Sequence, residues 1–548
     1  MQRRFCWAQC IVARAAQGIL AVAAGLFLMS LWSAATAVDA DEGKILRFGI
    51  DAADLGTGDP HRAASRNDRI VADMIFNGLL RYKPGAAPAI EPDLAVAVPS
   101  PQIIDGKQVW RFELRRDVMC QAGPQTEAYG MTADDVVFSL QRAANPAVSA
   151  YAGDYEDMTV TKIDDFTVDV AFDVPLSSIL FFPKVADYAG GFVVCRKAVE
   201  AQGDDGFAAH PVGTGPFAFA GHGAGEPVRL VAHESYFRGR PQLDGVEVHY
   251  LPAFEARDRG LRDGVLDVIF GSEEPAWFAT LKESDEITVD VFGVGQVVTL
   301  HFNTTQPPLD DPRVRKALAY AIDRDVFRSR FAAGVVENVY SPVPAAFLPG
   351  GLTQDEVAPL GLDYAYDPEK AKVLLAEAGY ADGFSLKLIT SERDHYLLNY
   401  ESLRDQLAAV NVDVELEVVP HREMHKRIRQ DENAIVIYVA WRPNADIFLT
   451  RFFHSDSIVV TGASPDTNFS HYDQIDKLIE TARSTHDPKV QVRFWKQAQI
   501  KLLADAVAYP LHYANLVYAR HNNVDYGHEL TAAMALYPQF TEKTHLVR

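Results

Sequence analysis

The 548-residue chain is short of the features that mark most enzymes and nucleic-acid binders. It has no G-x-S-x-G nucleophile elbow, no P-loop and no H-E-x-x-H pair, so the common hydrolase, NTPase and zinc-protease chemistries lack their carriers. Positive charge is scarce. Lys and Arg number 52 against 74 Asp and Glu, a formal net charge of −22, which disfavours nucleic acid and anionic lipid as partners. Four cysteines are present. Internal repeats, low-complexity tracts and a long Pro/Gly/Ser linker are lacking, and so is a second apolar run long enough to span a bilayer.

The one long apolar run stands at the N-terminus. Arg3, Arg4 and Arg14 form a basic region, residues 18–32 (GILAVAAGLFLMSLW) are uncharged and apolar, and Ala35-Thr36-Ala37 supplies small residues at the positions a signal peptidase reads. The pattern predicts an export signal, residues 1–37, cleaved after Ala37. Cleavage removes three arginines and no acid, taking the net charge from −22 to −25. Cys6 and Cys10 leave with the signal. Cys120 and Cys195 remain in an oxidising compartment, which leaves two readings open: a disulfide, or two separate buried thiols.

The roughly 510 residues that follow exceed one compact core, so two or three lobes are expected. Strand and helix patterns alternate along them. The run at 45–50 is a short apolar strand. Ile70, Val71, Met74 and Ile75 share a helical face that stops at Asn77-Gly78. Asp105-Gly106 marks a hairpin turn before the alternating Trp110, Phe112 and Leu114. Thr132 with Asp135 forms a shortened capping box. Strand patterns appear at 164–172, 229–232, 246–251, 297–303, 412–419 and 434–440. Asp311-Pro312 and Asp367-Pro368 each place a cap before a proline at the first helical position. Helical patterns cover 475–482 and 490–503. The mixture predicts an α/β fold.

Several stretches, in order, resemble the dipeptide- and oligopeptide-binding proteins that feed ABC importers, solute-binding protein family 5. They are residues 67–80 (NDRIVADMIFNGLL), 92–95 (PDLA), 112–118 (FELRRDV), 132–143 (TADDVVFSLQRA), 211–217 (PVGTGPF), 302–324 (FNTTQPPLDDPRVRKALAYAIDR) and 366–380 (YDPEKAKVLLAEAGY). The resemblance implies a two-lobed periplasmic-binding-protein fold with a hinge and an extra subdomain in lobe I. Carried onto this chain, lobe I takes 44–78, 209–293 and 506–548. The extra subdomain takes 79–208, and lobe II takes 294–505. Hinge crossings are expected near Gly293 and Gly295 and near 505–509. A solute touching both lobes would favour closure, and the closed form would dock on an inner-membrane ABC permease. The expected partners are therefore a peptide or peptide-like small molecule and that permease. The receptor is expected to be a periplasmic monomer with no catalytic residue, cofactor or metal.

Most of these motifs are caps, turns and buried stripes, so they specify scaffold rather than ligand. The richest candidate site is 435–448 (IVIYVAWRPNADIF), an apolar strand running into Trp441, Arg442, Asn444 and Asp446. Family peptide binders often carry an aspartate three residues after the corresponding tryptophan, gripping the peptide's α-amino group. Here that position is Asn444. Two outcomes follow: Asp446 takes over the amine, or the ligand lacks a free α-amine. Arg442 is a candidate anchor for an anionic group, unless it pairs with Asp446 away from the cleft. Trp441 either stacks on the ligand or packs in the core. Tyr513 is the preferred aromatic near the second crossing, ahead of His512. His61 and Asn67 are weaker candidates on lobe I. His421 and His425 lie four apart but read as a solvated helix surface rather than a metal site. The alternatives kept are an opine-like conjugate, a sugar derivative or a nickel complex as ligand, and docking on a chemoreceptor instead of a permease.

Overall fold

The computed structural model describes residues 43–547 apart from 187–188 and 282. The expected export signal lies outside the described residues. Among those described, no helix is long and apolar enough to cross a membrane.

The first strand, β1 (Ile45–Ile50), is buried at Leu46, Phe48, Gly49 and Ile50, as its apolar sequence predicts. Helix α1 (Arg66–Ile75) follows. The cap is Ser65, whose hydroxyl accepts from the Asp68 amide at 3.1 Å, so the helix begins before the Asn67-Asp68 pair that the sequence suggests. Its buried stripe is the expected Ile70, Val71, Met74 and Ile75.

An antiparallel sheet comes next, built from β2 (Pro101–Ile104), β3 (Lys107–Glu113), β4 (Thr159–Asp164) and β5 (Thr167–Phe172), in the order β2-β3-β5-β4. Asp105 and Gly106 both have positive φ (50° and 82°), the geometry of a tight turn that favours Asp-Gly. The strand expected at 164–172 is the end of one strand, a turn and all of the next. Trp110 and Phe172 close on Phe181 with ring centroids 4.9 and 5.2 Å apart. Helix α2 (Ala133–Ala143) carries the capping box of Thr132 and Asp135. Cys120 and Cys195, both buried, form a disulfide.

The chain then returns through β6 (Phe217–Gly221), β7 (Val228–Ala232), β8 (Gly245–Tyr250) and β9 (Val268–Phe270). Strands β8 and β9 flank β1, both parallel to it. A 16-residue strand, β10 (Ile287–Phe302), follows, then β11 (Val336–Asn338), the parallel pair β12 (Phe384–Ser391) and β13 (Val412–Val419), and β14 (Ile435–Ala440). Helices α3 (Ala445–Phe453), α4 (Asp476–Arg483) and α5 (Pro488–Ala504) lead to the 14-residue β15 (Ala508–His521).

Two long antiparallel strands join the halves. One sheet runs β6-β7-β8-β1-β9-β15-β10-β14, with β11 beside β15. The far end of β15 (518–520) pairs with β9, and its near end (508–514) pairs with 296–301 of β10. Between these stretches the ladder is interrupted. Phe292 faces Leu516 and Gln296 faces Ala514, so residues 293–295 stand opposite Asn515 alone. Such an insertion bends a strand locally. The Asn515 amide donates to Val335 at 2.7 Å and its Nδ2 to Gly334 at 2.9 Å. Gly293 is held by its amide to Thr531 and its carbonyl to the Ala533 amide.

Candidate functional site

The carboxyl ends of parallel strands are where α/β sheets commonly present ligand-binding groups. Asp51 follows the last residue of β1, Phe270 ends β9, and Glu273 stands three residues beyond it. Arg66 opens α1. These four side chains line a cavity of about 260 Å³. The opposite wall is Val298, Val439, Asn399, Phe331 and His512.

Strand register decides which residues of the second wall face inward. Val298 lies opposite both Val439 and His512, while Val297 lies opposite Ala440 and Tyr513. Side chains alternate along a strand, so the Val298 row lines the cavity and the Val297 row turns away. Tyr513 accordingly points elsewhere. Its hydroxyl donates to Glu337 Oε2 at 2.7 Å and its ring meets Phe347 edge-on at 5.2 Å. The preferred aromatic was one residue out of phase, and its neighbour His512 faces the cavity. His512 Nε2 donates to Asn399 Oδ1 at 3.2 Å, and burial drives its pKa down to about 3, so the ring is neutral.

The other charges in the cavity sit on the first wall. Arg66 Nη2 pairs with Asp51 Oδ1, and the guanidinium lies 4.4 Å above the Phe270 ring, a cation–π geometry. Behind them Arg257 is buried, donating to the carbonyls of Leu251, Pro252 and Phe270. Glu273 accepts at its backbone carbonyl from the Ala332 amide. Burial alone pushes its carboxyl up to about 7.

The residues expected from sequence fall mostly outside this cavity. Asn444 is the N-cap of α3, accepting from the Ile447 amide at 3.0 Å. Asp446 pairs with Arg483, Nε to Oδ2 at 3.1 Å, not with Arg442. Arg442 Nη1 donates to the Trp441 carbonyl at 2.8 Å and its guanidinium lies 5.2 Å over Phe452. Trp441 is half-buried against the core. His61 is fully buried: Nε2 donates to the Phe192 carbonyl, Nδ1 accepts from Arg142, and burial takes its pKa to about 4. That ring knits α2 to the first strand's loop and cannot meet a solute. Asn67 sits in the first turn of α1, beside Arg66 but not in the cavity wall. His421 and His425 abut at 4.5 Å on one helix, half-buried against Tyr396 rather than solvated. No group of three or more His, Cys, Asp or Glu placed to hold a metal occurs among the described residues.

Arg66, Asp51, Glu273 and Asn399 were missed. The rule that selected the end of β14 applies equally to the ends of β1 and β9, and it would have found Asp51 and Phe270. A larger groove, about 490 Å³, runs between β5 and α4, but its walls are chiefly exposed side chains such as Glu156, Asp157, Asp173 and Glu480. Groups already bathed in water gain little selectivity from a ligand, so the smaller, half-apolar cavity is the candidate site.

Comparison with known proteins identifies the family and the fold. Residues 89–458 match the bacterial extracellular solute-binding proteins, family 5 Middle. The dipeptide-binding protein of Escherichia coli is 29% identical over 464 residues, covering 79% of this chain and 82% of that protein. Heme-binding protein A of Haemophilus influenzae is 28% identical over 458 residues, covering 78% and 80%. Among solved structures, MoaA of A. tumefaciens in complex with mannopinic acid superposes with a TM-score of 0.75 at 34% identity, over 92% of this chain and 100% of that one.

Proposed function

The chain belongs to the family 5 bacterial extracellular solute-binding proteins, and from that premise we propose that it captures a small peptide-like solute between two lobes and delivers it to an ABC permease. Members of this family are substrate-binding proteins of transporters, and the two-lobed α/β fold of its relatives is also the fold of this chain. The receptor works in the periplasm as an exported monomer, with the leader at 1–37 cleaved.

The observation that carries the reading is the composition of the cavity walls. Asp51, Arg66, Phe270 and Glu273 come from the half built on β1 and β9. Val298, Asn399 and Val439 come from the half built on β10 and β14. A solute in contact with both walls has a differential affinity for the closed state, which is what shifts a hinge equilibrium. The hinge lies where β10 and β15 lose register, 293–295 opposite Asn515, further along β15 than the crossing expected at 505–509. Lobe I then takes 44–78, 209–293 and the chain beyond Asn515, with the subdomain 79–208 attached. Lobe II takes 296–514.

A space of about 260 Å³ falls just under the ~300–1,000 Å³ of common ligand pockets. It suits a dipeptide or an opine-like amino-acid conjugate such as mannopinic acid. Deleting the gene in the source bacterium and following uptake of a labelled solute tests the reading. The expected result is loss of uptake for the same small solute that mass spectrometry finds released from the denatured native protein. Unchanged uptake of that solute would overturn it.

A further inference from the structure

If the cavity receives the solute, its charges dictate which solutes enter, and they do not balance. Arg66 and Asp51 neutralise each other through their ion pair. Arg257, behind them, has its guanidinium committed to three backbone carbonyls. His512, on the opposite wall, is held neutral by burial and by its bond to Asn399. Glu273 is left over. Its carboxylate has no hydrogen bond and no ion pair among the described residues, and burial pushes it up to about 7. Glu273 is partly buried where it lines the cavity, and a carboxylate partly withdrawn from water without a partner is costly. By contrast, the buried Asp59 holds Arg142 and the buried Asp267 holds Arg47.

The two residues of the second lobe that the sequence offers for a solute's nitrogen are not available to it. Asn444 is an amide spent on the α3 cap, and Asp446 is spent on Arg483. We propose that Glu273, on the first lobe, is the cation anchor of this receptor, and that its solute carries a protonated nitrogen docked on the Glu273 carboxylate. The proposal deepens the receptor reading above and rests on it. Arg66 strengthens the assignment, since among the described residues only its Nη2 carries a hydrogen bond. The remaining guanidinium donors are available to an anionic group on the same solute, as an amino acid or peptide would present.

Proton linkage gives the proposal a signature that packing alone would not. An ammonium binds the ionised carboxylate, and Glu273 is protonated below about pH 7. Affinity should therefore rise about tenfold per pH unit up to that point and level off above it, with a proton released on binding in the lower range.

The experiment uses the mature protein and two probes, the dipeptide Met-Leu and mannopinic acid, each with its nitrogen free and acetylated, followed by calorimetry from pH 5 to 8. The expected result is binding of a free-nitrogen probe and not of its acetylated form, with the stated pH slope. Glu273→Gln should lower that affinity roughly 100-fold, as truncation of a buried charge pair does, and flatten the slope. Binding of acetylated probes as tightly as free ones, binding of neither free probe, or a Glu273→Gln variant with wild-type affinity and slope would overturn it. Should the Gln variant not fold, the wild-type pH profile and Glu273→Asp decide the matter. Loss of the anchor with intact import of another solute refutes this assignment alone; intact uptake in the deletion strain refutes the receptor reading.

Discussion

Ser177 and Gln491 stand 314 positions apart in the chain and share a buried hydrogen bond, Ser177 Oγ to Gln491 Oε1 at 2.6 Å. Ser177 belongs to the subdomain that carries β2–β5, and Gln491 to α5 in the other half. Both side chains are removed from solvent, so the contact exists only while the halves are together.

This bond should act as a latch on closure. A neutral buried bond contributes about 1 kcal/mol, close to fivefold in affinity. Ser177 also caps the helix at Ser178–Val185 by accepting from Leu180, so a single substitution would mix two effects. A double-mutant cycle of Ser177→Ala and Gln491→Met separates them. The expected coupling in ligand dissociation constant is about 1 kcal/mol, and zero coupling would show that the contact is absent from the liganded state.

The Asn444 and Asp446 loop should matter for stability rather than for ligand. Asn444→Ala removes the α3 cap and should cost about 1 kcal/mol. Asp446→Asn breaks the Arg483 pair, whose arginine is 43% exposed, and should cost no more than about 1 kcal/mol. Chemical denaturation and solute titration of both variants check this; a tenfold loss of affinity in either would return the loop to the site.

The disulfide closes a loop of 75 residues. Chain-entropy reasoning gives such a closure roughly 4 kcal/mol of stabilisation. Cys120→Ser with Cys195→Ser should lower the unfolding free energy by about that amount, measured in urea without reductant, with ligand affinity unchanged because both cysteines lie away from the cavity walls.

His301 supplies an acid-sensitivity. It is buried among Phe452, Phe453 and Phe469, and burial lowers its pKa to about 3. The unfolded ring titrates near 6.5, so between these values the unfolded state binds the extra proton and stability falls as pH falls. His301→Phe should reduce that fall by about 1.4 kcal/mol per pH unit below pH 6.5. Parallel pH slopes for variant and wild type would contradict it.

Gly293 is set against Phe347. A Cβ on Gly293 would lie 2.1 Å from that ring, so Gly293→Ala should cost about 1–3 kcal/mol by overpacking, and adding Phe347→Ala should relieve part of the cost. Urea midpoints of the single and double variants test the pair.

Much of the scaffold was legible because its signals are local. A cap needs a side chain within three residues, as at Thr132 and Asp311, and a tight hairpin needs Asp-Gly at two adjacent positions. Length was less legible. The pattern at 297–303 covers only the end of β10; the earlier alternation of Ile287, Val289 and Val291 is cut off from it by Gly293 and Gly295, and pairing with β15 holds both parts in one strand. The site was the least legible part. The sequence favoured Tyr513 over His512, and only the pairing of Val298 with His512 shows which of the two faces the cavity. Asp446 looks available until α4, 37 residues further on, brings Arg483 to it.

By itself the sequence determined the α/β class, the ordered family motifs, the helix caps and the hairpin turn, all of which are set by interactions between residues close along the chain. It also carried the leader pattern, whose reading needs only composition and order. The tertiary structure alone decided which charges are spent and which are left over. Arg66 meets Asp51, Arg483 meets Asp446, and Glu273 has no partner among the described residues, because burial and partnership depend on strand register and on packing between segments far apart in the chain.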